Sequence, residues 1–176
     1  MDCLFVIDYQ KDFVDGALGF PGAEKLDSAI AARVREYGPG RVWFTRDTHG
    51  ADYLNTREGK HLPVVHTVRG TDGWQVYGET AAALREVGAV GIDKVTFGMD
   101  VTDPAAAAAL PESADRIELC GLDSNICVIS NAAVLQSRYP EAQLMVDARL
   151  TASFDPALNE KTLDVLAGMQ VEILHR

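Results

Sequence analysis

Cys3-Leu4-Phe5-Val6-Ile7-Asp8 is the stretch on which the fold turns: five apolar residues in a row, closed by a carboxylate. A strand with water on one face alternates apolar and polar, whereas a strand covered on both faces does not. The stretch therefore reads as a central strand between two layers of helix, with Asp8 at its carboxyl end. Runs of the same kind recur at residues 42–45, 90–92, 117–120, 144–146 and 171–174. Helical patterns separate them. Leu26, Ile30 and Val34 recur every fourth residue before Gly38-Pro39-Gly40, and residues 80–87 stop at Gly88. Asp103-Pro104 and Asp155-Pro156 each place a capping carboxylate before a proline at the first helical position; the second of these helices ends near Gly168. The alanines of 105–109 are strong helix formers and need no other explanation.

Strand and helix alternating in this way predict an α/β protein: a single domain over residues 1–176, with a mostly parallel six-stranded sheet in a three-layer α/β/α arrangement. Ligands of such sheets gather at the carboxyl ends of the strands. Residues 46–77 break the rhythm, being polar, glycine-containing and without a period, yet they hold His49, His61 and His66 of the four histidines. A connection of that length is either functional or disordered, and the histidines favour function.

A net charge of −10 argues against a nucleic-acid or anionic-membrane partner, which calls for a basic surface. No stretch approaches the roughly 18 apolar residues of a membrane span, and the first eight residues lack the basic region of a secretion signal. Cys3, Cys120 and Cys127 are too few and odd in number for a disulfide framework, so the chain is expected to be cytoplasmic.

Three strand ends carry reactive side chains. Asp8 closes the first run, Lys94 follows the third, and Cys127 follows Leu119-Cys120-Gly121-Leu122-Asp123-Ser124-Asn125-Ile126. Taken singly, Asp8 serves as well as a turn cap, Lys94 as a surface charge and Cys127 as a structural thiol. Together they supply a base, an electrostatic partner and a nucleophile. Helical spacing through Ile126, Ile129 and Ala133 puts Cys127 in the first turn of a helix, where the dipole and a nearby ammonium favour a thiolate. Cys3 and Cys120 fall within strands and read as structural. Asp47 and His49 point to one side of an extended segment, and Glu58 and His66 complete a nitrogen and oxygen set suited to zinc, iron or manganese. The same spacing suits an exposed polar loop. His61 is the rival ligand, disfavoured by its neighbour Lys60.

Five segments carry a resemblance that spans nearly the whole chain: Val6-Ile7-Asp8-Tyr9-Gln10-Lys11-Asp12-Phe13, Thr45-Arg46-Asp47-Thr48-His49, Leu62-Pro63-Val64-Val65-His66, Lys94-Val95-Thr96-Phe97-Gly98 and Gly121-Leu122-Asp123-Ser124-Asn125-Ile126-Cys127-Val128. In number, order and spacing they resemble the nicotinamidase and isochorismatase-like hydrolase superfamily. The resemblance implies that fold, a catalytic triad of Asp8, Lys94 and Cys127, and a divalent metal, zinc first among the candidates, on Asp47, His49, Glu58 and His66. It implies a substrate contact at Phe13; where many members carry a tryptophan near the ring this chain has Leu62-Pro63, and Trp74 is the candidate to take that tryptophan's place. It also implies a cis peptide at Leu122-Asp123 and an oxyanion hole from the amides of Asp123 and Cys127. The expected activity is hydrolysis of nicotinamide or a related small amide, carbamoyl or ureido compound, in a protein that self-associates. A vinyl-ether hydrolase has no need of Cys127. The sequence also departs from the family pattern at Asp123, Ser124, Asn125 and Thr67, and the changes at Asp123 and Asn125 keep open a non-catalytic small-molecule binding or redox-responsive protein on the same scaffold.

Overall fold

The computed structural model describes residues 1–176. Strands β1 (Asp2–Ile7), β2 (Val42–Asp47), β3 (Val90–Lys94), β4 (Arg116–Gly121), β5 (Gln143–Thr151) and β6 (Glu172–Leu174) form one sheet in the order β3-β2-β1-β4-β5-β6. Every pairing is parallel. The expected six strands are present, flanked by helices α1 (Lys11–Val14), α2 (Asp27–Tyr37), α3 (Arg57–His61), α4 (Gly78–Glu86), α5 (Pro104–Ala109), α6 (Ile129–Arg138) and α7 (Pro156–Gly168).

Successive side chains of a strand point to opposite faces, and β1 shows the consequence. Cys3, Phe5 and Ile7 enter a core built with Leu135 of α6 and with Leu163 and Leu166 of α7. Leu4 and Val6 enter the other, built with Ile30 and Val34 of α2 and Leu84 of α4. Burial on both faces is what the unbroken apolar run encodes. Truncating one of the large core side chains, such as Phe5, costs about 3–5 kcal/mol. The two Asp-Pro signals cap as expected. Asp103 accepts from the Ala105 and Ala106 amides at 3.0 and 2.9 Å, and Asp155 from Ala157 and Leu158 at 2.8 and 3.3 Å. No helix is long and apolar enough to cross a membrane.

Two departures from expectation have physical causes. β5 runs to Thr151 instead of stopping at Val146, because the buried Asp147, which interrupts the apolar run, is held by Arg33, Arg149 and His175. The aperiodic stretch after β2 is ordered, with a 3₁₀ turn (Tyr53–Asn55) and α3, whose N-terminus is capped by Thr56 Oγ1 accepting from the Gly59 amide at 3.0 Å. Side chains distant in sequence tie it down. Gln10 bonds the Asp47 backbone in both directions and also the Trp74 carbonyl. Asp12 accepts from the Thr67 amide at 2.7 Å.

From β1 the chain winds outward to β2 and β3 on one side, while β4 to β6 fill the other. The reversal between β1 and β4 opens a crevice at their carboxyl ends. Close approach there depends on Gly121 (φ 107°), where an added Cβ would lie 2.1 Å from the Ile7 carbonyl oxygen. The Leu122-Asp123 peptide that follows is cis.

Candidate active site

Asp8 leaves β1 with a left-handed φ of 44°, and its carboxyl group is completely buried. Thr45 Oγ1 donates to Asp8 Oδ1 at 2.7 Å, and Lys94 Nζ at the end of β3 lies 2.6 Å from Oδ2. The same ammonium stands 3.6 Å from Cys127 Sγ and donates to the Thr96 carbonyl at 3.0 Å. Burial pushes the Lys94 ammonium down, but the carboxylates of Asp8 and Asp47, together with the Cys127 sulfur, outweigh it and hold the group above its ordinary value. Lysine at the end of β3 is thus a buried cation held between two potential anions, and its charge is fully used.

Cys127 sits in a π-helical turn (Ser124–Val128) that leads into α6, not in an open α-helical first turn. The expectation of a favoured thiolate is corrected here. Burial, and next the charge of Asp8, push the thiol well above its usual value against the pull of Lys94. A buried anion with a carboxylate beside it is costly, so the resting sulfur carries its proton and needs a base to release it. Asn131 of α6 locks the turn, donating to the Cys127 carbonyl at 2.8 Å and the Phe97 carbonyl at 3.0 Å while accepting from the Met99 amide. The N–H of Asp123 has no acceptor within the protein.

Beside this trio Asp47, His49 and His66 converge, each buried, with one ligand atom apiece within 4.8 Å of the others. Glu58 Oε1 faces the two imidazoles at 3.6 and 3.8 Å. His66 Nδ1 pairs with the Val64 carbonyl at 2.7 Å, which leaves Nε2 as the free lone pair. His49 Nε2 is buried 2.8 Å from Asp47 Oδ2. Burial raises Asp47, but the imidazoles of His49 and His66 and the Lys94 ammonium overcome it and hold the carboxyl well below its usual range. A permanent carboxylate, two imidazole lone pairs and a second carboxylate within reach fit a divalent cation. Tyr53, whose place here had no signal in the sequence, packs against both imidazoles with centroids at 4.5 and 4.9 Å. His61 turns outward and pairs with the Arg57 carbonyl.

A cavity of about 370 Å³ joins the two groups. Phe13, Leu62, Asp47, Glu58, His66, Asp123 and Cys127 line it, with Leu18, Phe97, Ile126 and Phe154, which the sequence did not single out. The Phe13 ring meets His66 edge-on at 5.6 Å. Trp74 stands apart from the cavity wall: its Nε1 donates to Thr48 Oγ1 at 2.8 Å, and the Arg46 guanidinium covers its ring at 4.0 Å. An apolar chamber with a thiol, a buried ion pair and a cation cluster on its walls suits acyl transfer from a small polar-headed ring or chain.

A family model described as the isochorismatase domain matches residues 2–175. No curated protein sequence matches the chain. Among solved structures, a pyrazinamidase/nicotinamidase from Streptococcus mutans superimposes with a TM-score of 0.82 at 23% identity, covering 99% of this chain and 100% of that one. The yeast nicotinamidase gives 0.82 at 17% identity with both chains fully covered. A pyrazinamidase of Pyrococcus horikoshii, determined in complex with zinc, gives 0.78 at 20% identity over 99% of each chain.

Proposed function

The chain belongs to the isochorismatase domain family, and within that family of hydrolases we propose that it is a nicotinamidase, releasing nicotinate and ammonia. The observation that carries this reading is the shared cavity: a buried thiol–carboxylate–ammonium trio and a cluster fit for a cation open onto one apolar chamber. The neighbours described as nicotinamidases and pyrazinamidases, one of them with zinc, support it. Asp47, His49, Glu58 and His66 would hold a divalent cation, which would supply a Lewis-acidic partner for a pyridine nitrogen.

The chain's own groups then divide the work. Phe13 and Leu62 bound the ring and exclude water from it. Asp8 removes the thiol proton of Cys127, and Lys94 stabilises the anion that results. The sulfur forms a bond to the amide carbon, while the backbone N–H groups of Asp123 and Cys127 hold the developing oxyanion. Asp8 returns its proton to nitrogen as the C–N bond breaks and ammonia leaves. Asp8 then takes a proton from water, whose oxygen attacks the thioester carbon; as the C–S bond breaks, Asp8 returns that proton to sulfur, which restores the thiol, and nicotinate departs. Such an enzyme serves NAD salvage, acts on a free small molecule and works in the cytoplasm.

Asp123 favours a second reading, a sister amidase for a different small amide, because no pyridine ring requires a carboxyl group at that place. The deciding test is chromatographic detection of nicotinate from nicotinamide, using protein stripped of metal and then reloaded with zinc, iron or manganese. Turnover restored by one of these ions is expected. Silence with all three overturns the nicotinamide assignment.

A further inference from the structure

Of the polar side chains on the cavity wall, Asp47, Glu58 and His66 belong to the cation cluster and Cys127 is the nucleophile. Asp123 remains. The rest of the wall, Phe13, Leu18, Leu62, Phe97, Ile126 and Phe154, is apolar and offers no side-chain donor, and the Oδ1 of Asp123 is buried with no partner anywhere in the protein. A buried acceptor left unsatisfied costs on the order of 1–3 kcal/mol, more when charged. Burial, and then the negative charge of Asp8, push its carboxyl up to about 7, as expected for an acid that no cation or donor within the chain compensates.

We propose that Asp123 is a specificity-determining residue: its carboxyl accepts a hydrogen bond from an N–H or O–H group of the substrate, so the site selects carboxamides that carry such a donor near the reacting amide. This rests on the amidase reading of the cavity and narrows its substrate class. The chemistry runs in two directions. A donor on the ligand satisfies an atom that the fold leaves bare, whereas a ring presenting only C–H there buries the carboxyl unpaired. Asp123 also contributes a backbone N–H proposed to hold the oxyanion. An uncompensated carboxylate beside that position opposes the developing negative charge, and a substrate donor shields it. The substrates that bind best are therefore also those least hindered in the attack.

The test is calorimetric titration of zinc-loaded Cys127→Ala protein, which cannot turn ligand over, with nicotinamide and with each of its ring-amino derivatives. The same series is run in the Cys127→Ala/Asp123→Ala double variant. At least one amino derivative is expected to bind the Asp123 protein about 10- to 100-fold more tightly than nicotinamide, with the advantage falling to within about threefold once Asp123 is alanine. A folded double variant is verified by its retained zinc affinity. An advantage that survives Asp123→Ala overturns the proposal, as does the absence of any advantage or of any binding. Failure of the nicotinamidase reading looks different: wild-type protein leaves nicotinamide intact while Asp123-dependent binding of an amino derivative persists. Turnover of nicotinamide with no Asp123-dependent discrimination removes this proposal alone.

Discussion

Glu118 and Asp147, on β4 and β5, are buried as deeply as Asp8 and Asp47 at the carboxyl ends of β1 and β2. The two regions treat that burial differently. Around Glu118 and Asp147, Arg33 reaches both carboxylates, at 2.5 and 3.3 Å, Tyr37 donates to Glu118 at 2.9 Å, and Arg149 and His175 close on Asp147. No atom of that cluster is left without a partner. Around Asp8 and Asp47 the groups are paired but not exhausted. Asp123 Oδ1 makes no hydrogen bond, His49 Nε2 meets only carboxylates, and a cavity walled by Asp47, Asp123 and Cys127 lies beside them. Buried charge alone therefore does not mark a site. Buried charge with bonding capacity left over, next to space, does.

The comparison breaks most sharply at Cys127. Cys127→Ala is expected to lower carboxamide hydrolysis by about four orders of magnitude or more while the melting temperature stays near wild type. Cys120→Ala, at an equally buried sulfur away from the cavity, is expected to leave the rate unchanged. Ammonia release beside thermal melting separates the two, and equal losses of rate would remove the distinction between a reactive and a structural thiol.

Glu118→Ala acts on the closed cluster, taking one acceptor from Arg33 and from the Tyr37 hydroxyl while Asp147 and Glu36 still hold the guanidinium. Urea unfolding is expected to show about 1.5–3 kcal/mol of lost stability, with the rate per folded molecule unchanged, because charge-assisted hydrogen bonds are lost without leaving a bare charge. The open cluster should answer to its ligand instead. Saturating zinc is expected to raise the stability of chelator-treated protein by about 3 kcal/mol at a hundredfold excess over its dissociation constant. His49→Ala and His66→Ala are expected to abolish that gain, as followed by the midpoint of urea unfolding; the same substitutions leave the Glu118 cluster untouched.

The smallest effect concerns Asp123 and pH. Its folded value of about 7 lies above the ordinary 3.8 of an aspartate, so between those values the folded protein holds a proton that the unfolded chain has released. Its contribution to stability is then complete below about pH 4 and lost as the pH rises to about 7. Asp123→Asn removes that slope. Half-burial limits the size, and the variant is expected to gain about 1–2 kcal/mol relative to wild type between pH 5 and pH 8, read from paired melting curves. Parallel curves at both pH values would show that the carboxyl is solvated after all.

Sequence and structure agree where a local pattern states a global environment. The run from Cys3 to Ile7 is apolar on both faces because both faces are covered, and Asp155-Pro156 begins a helix because its carboxylate reaches two free amides. Agreement ends where distant residues decide. β5 extends past Asp147 because Arg33 comes from α2 to meet it, and no local pattern announces that. The chain between β2 and α4 is shaped by Gln10, Asp12 and Thr56 through single bonds without a period. Thr45, Tyr53 and Asn131 position the site, yet each is an ordinary strand, turn or helix residue when read in line.

By itself the sequence determined the layer architecture, the parallel sheet and the strand ends at which Asp8, Lys94 and Cys127 emerge, since hydrophobic period and end signals are properties of neighbouring residues. Only the tertiary structure decided what those side chains experience. It placed Lys94 within 3.6 Å of the sulfur, kept the proton on Cys127 by burying it beside Asp8, turned Trp74 onto Arg46 and away from the cavity, and left Asp123 facing that cavity without a partner. Proton affinity and unsatisfied bonding depend on every group that the fold brings close, and proximity across the sheet is not written along the chain.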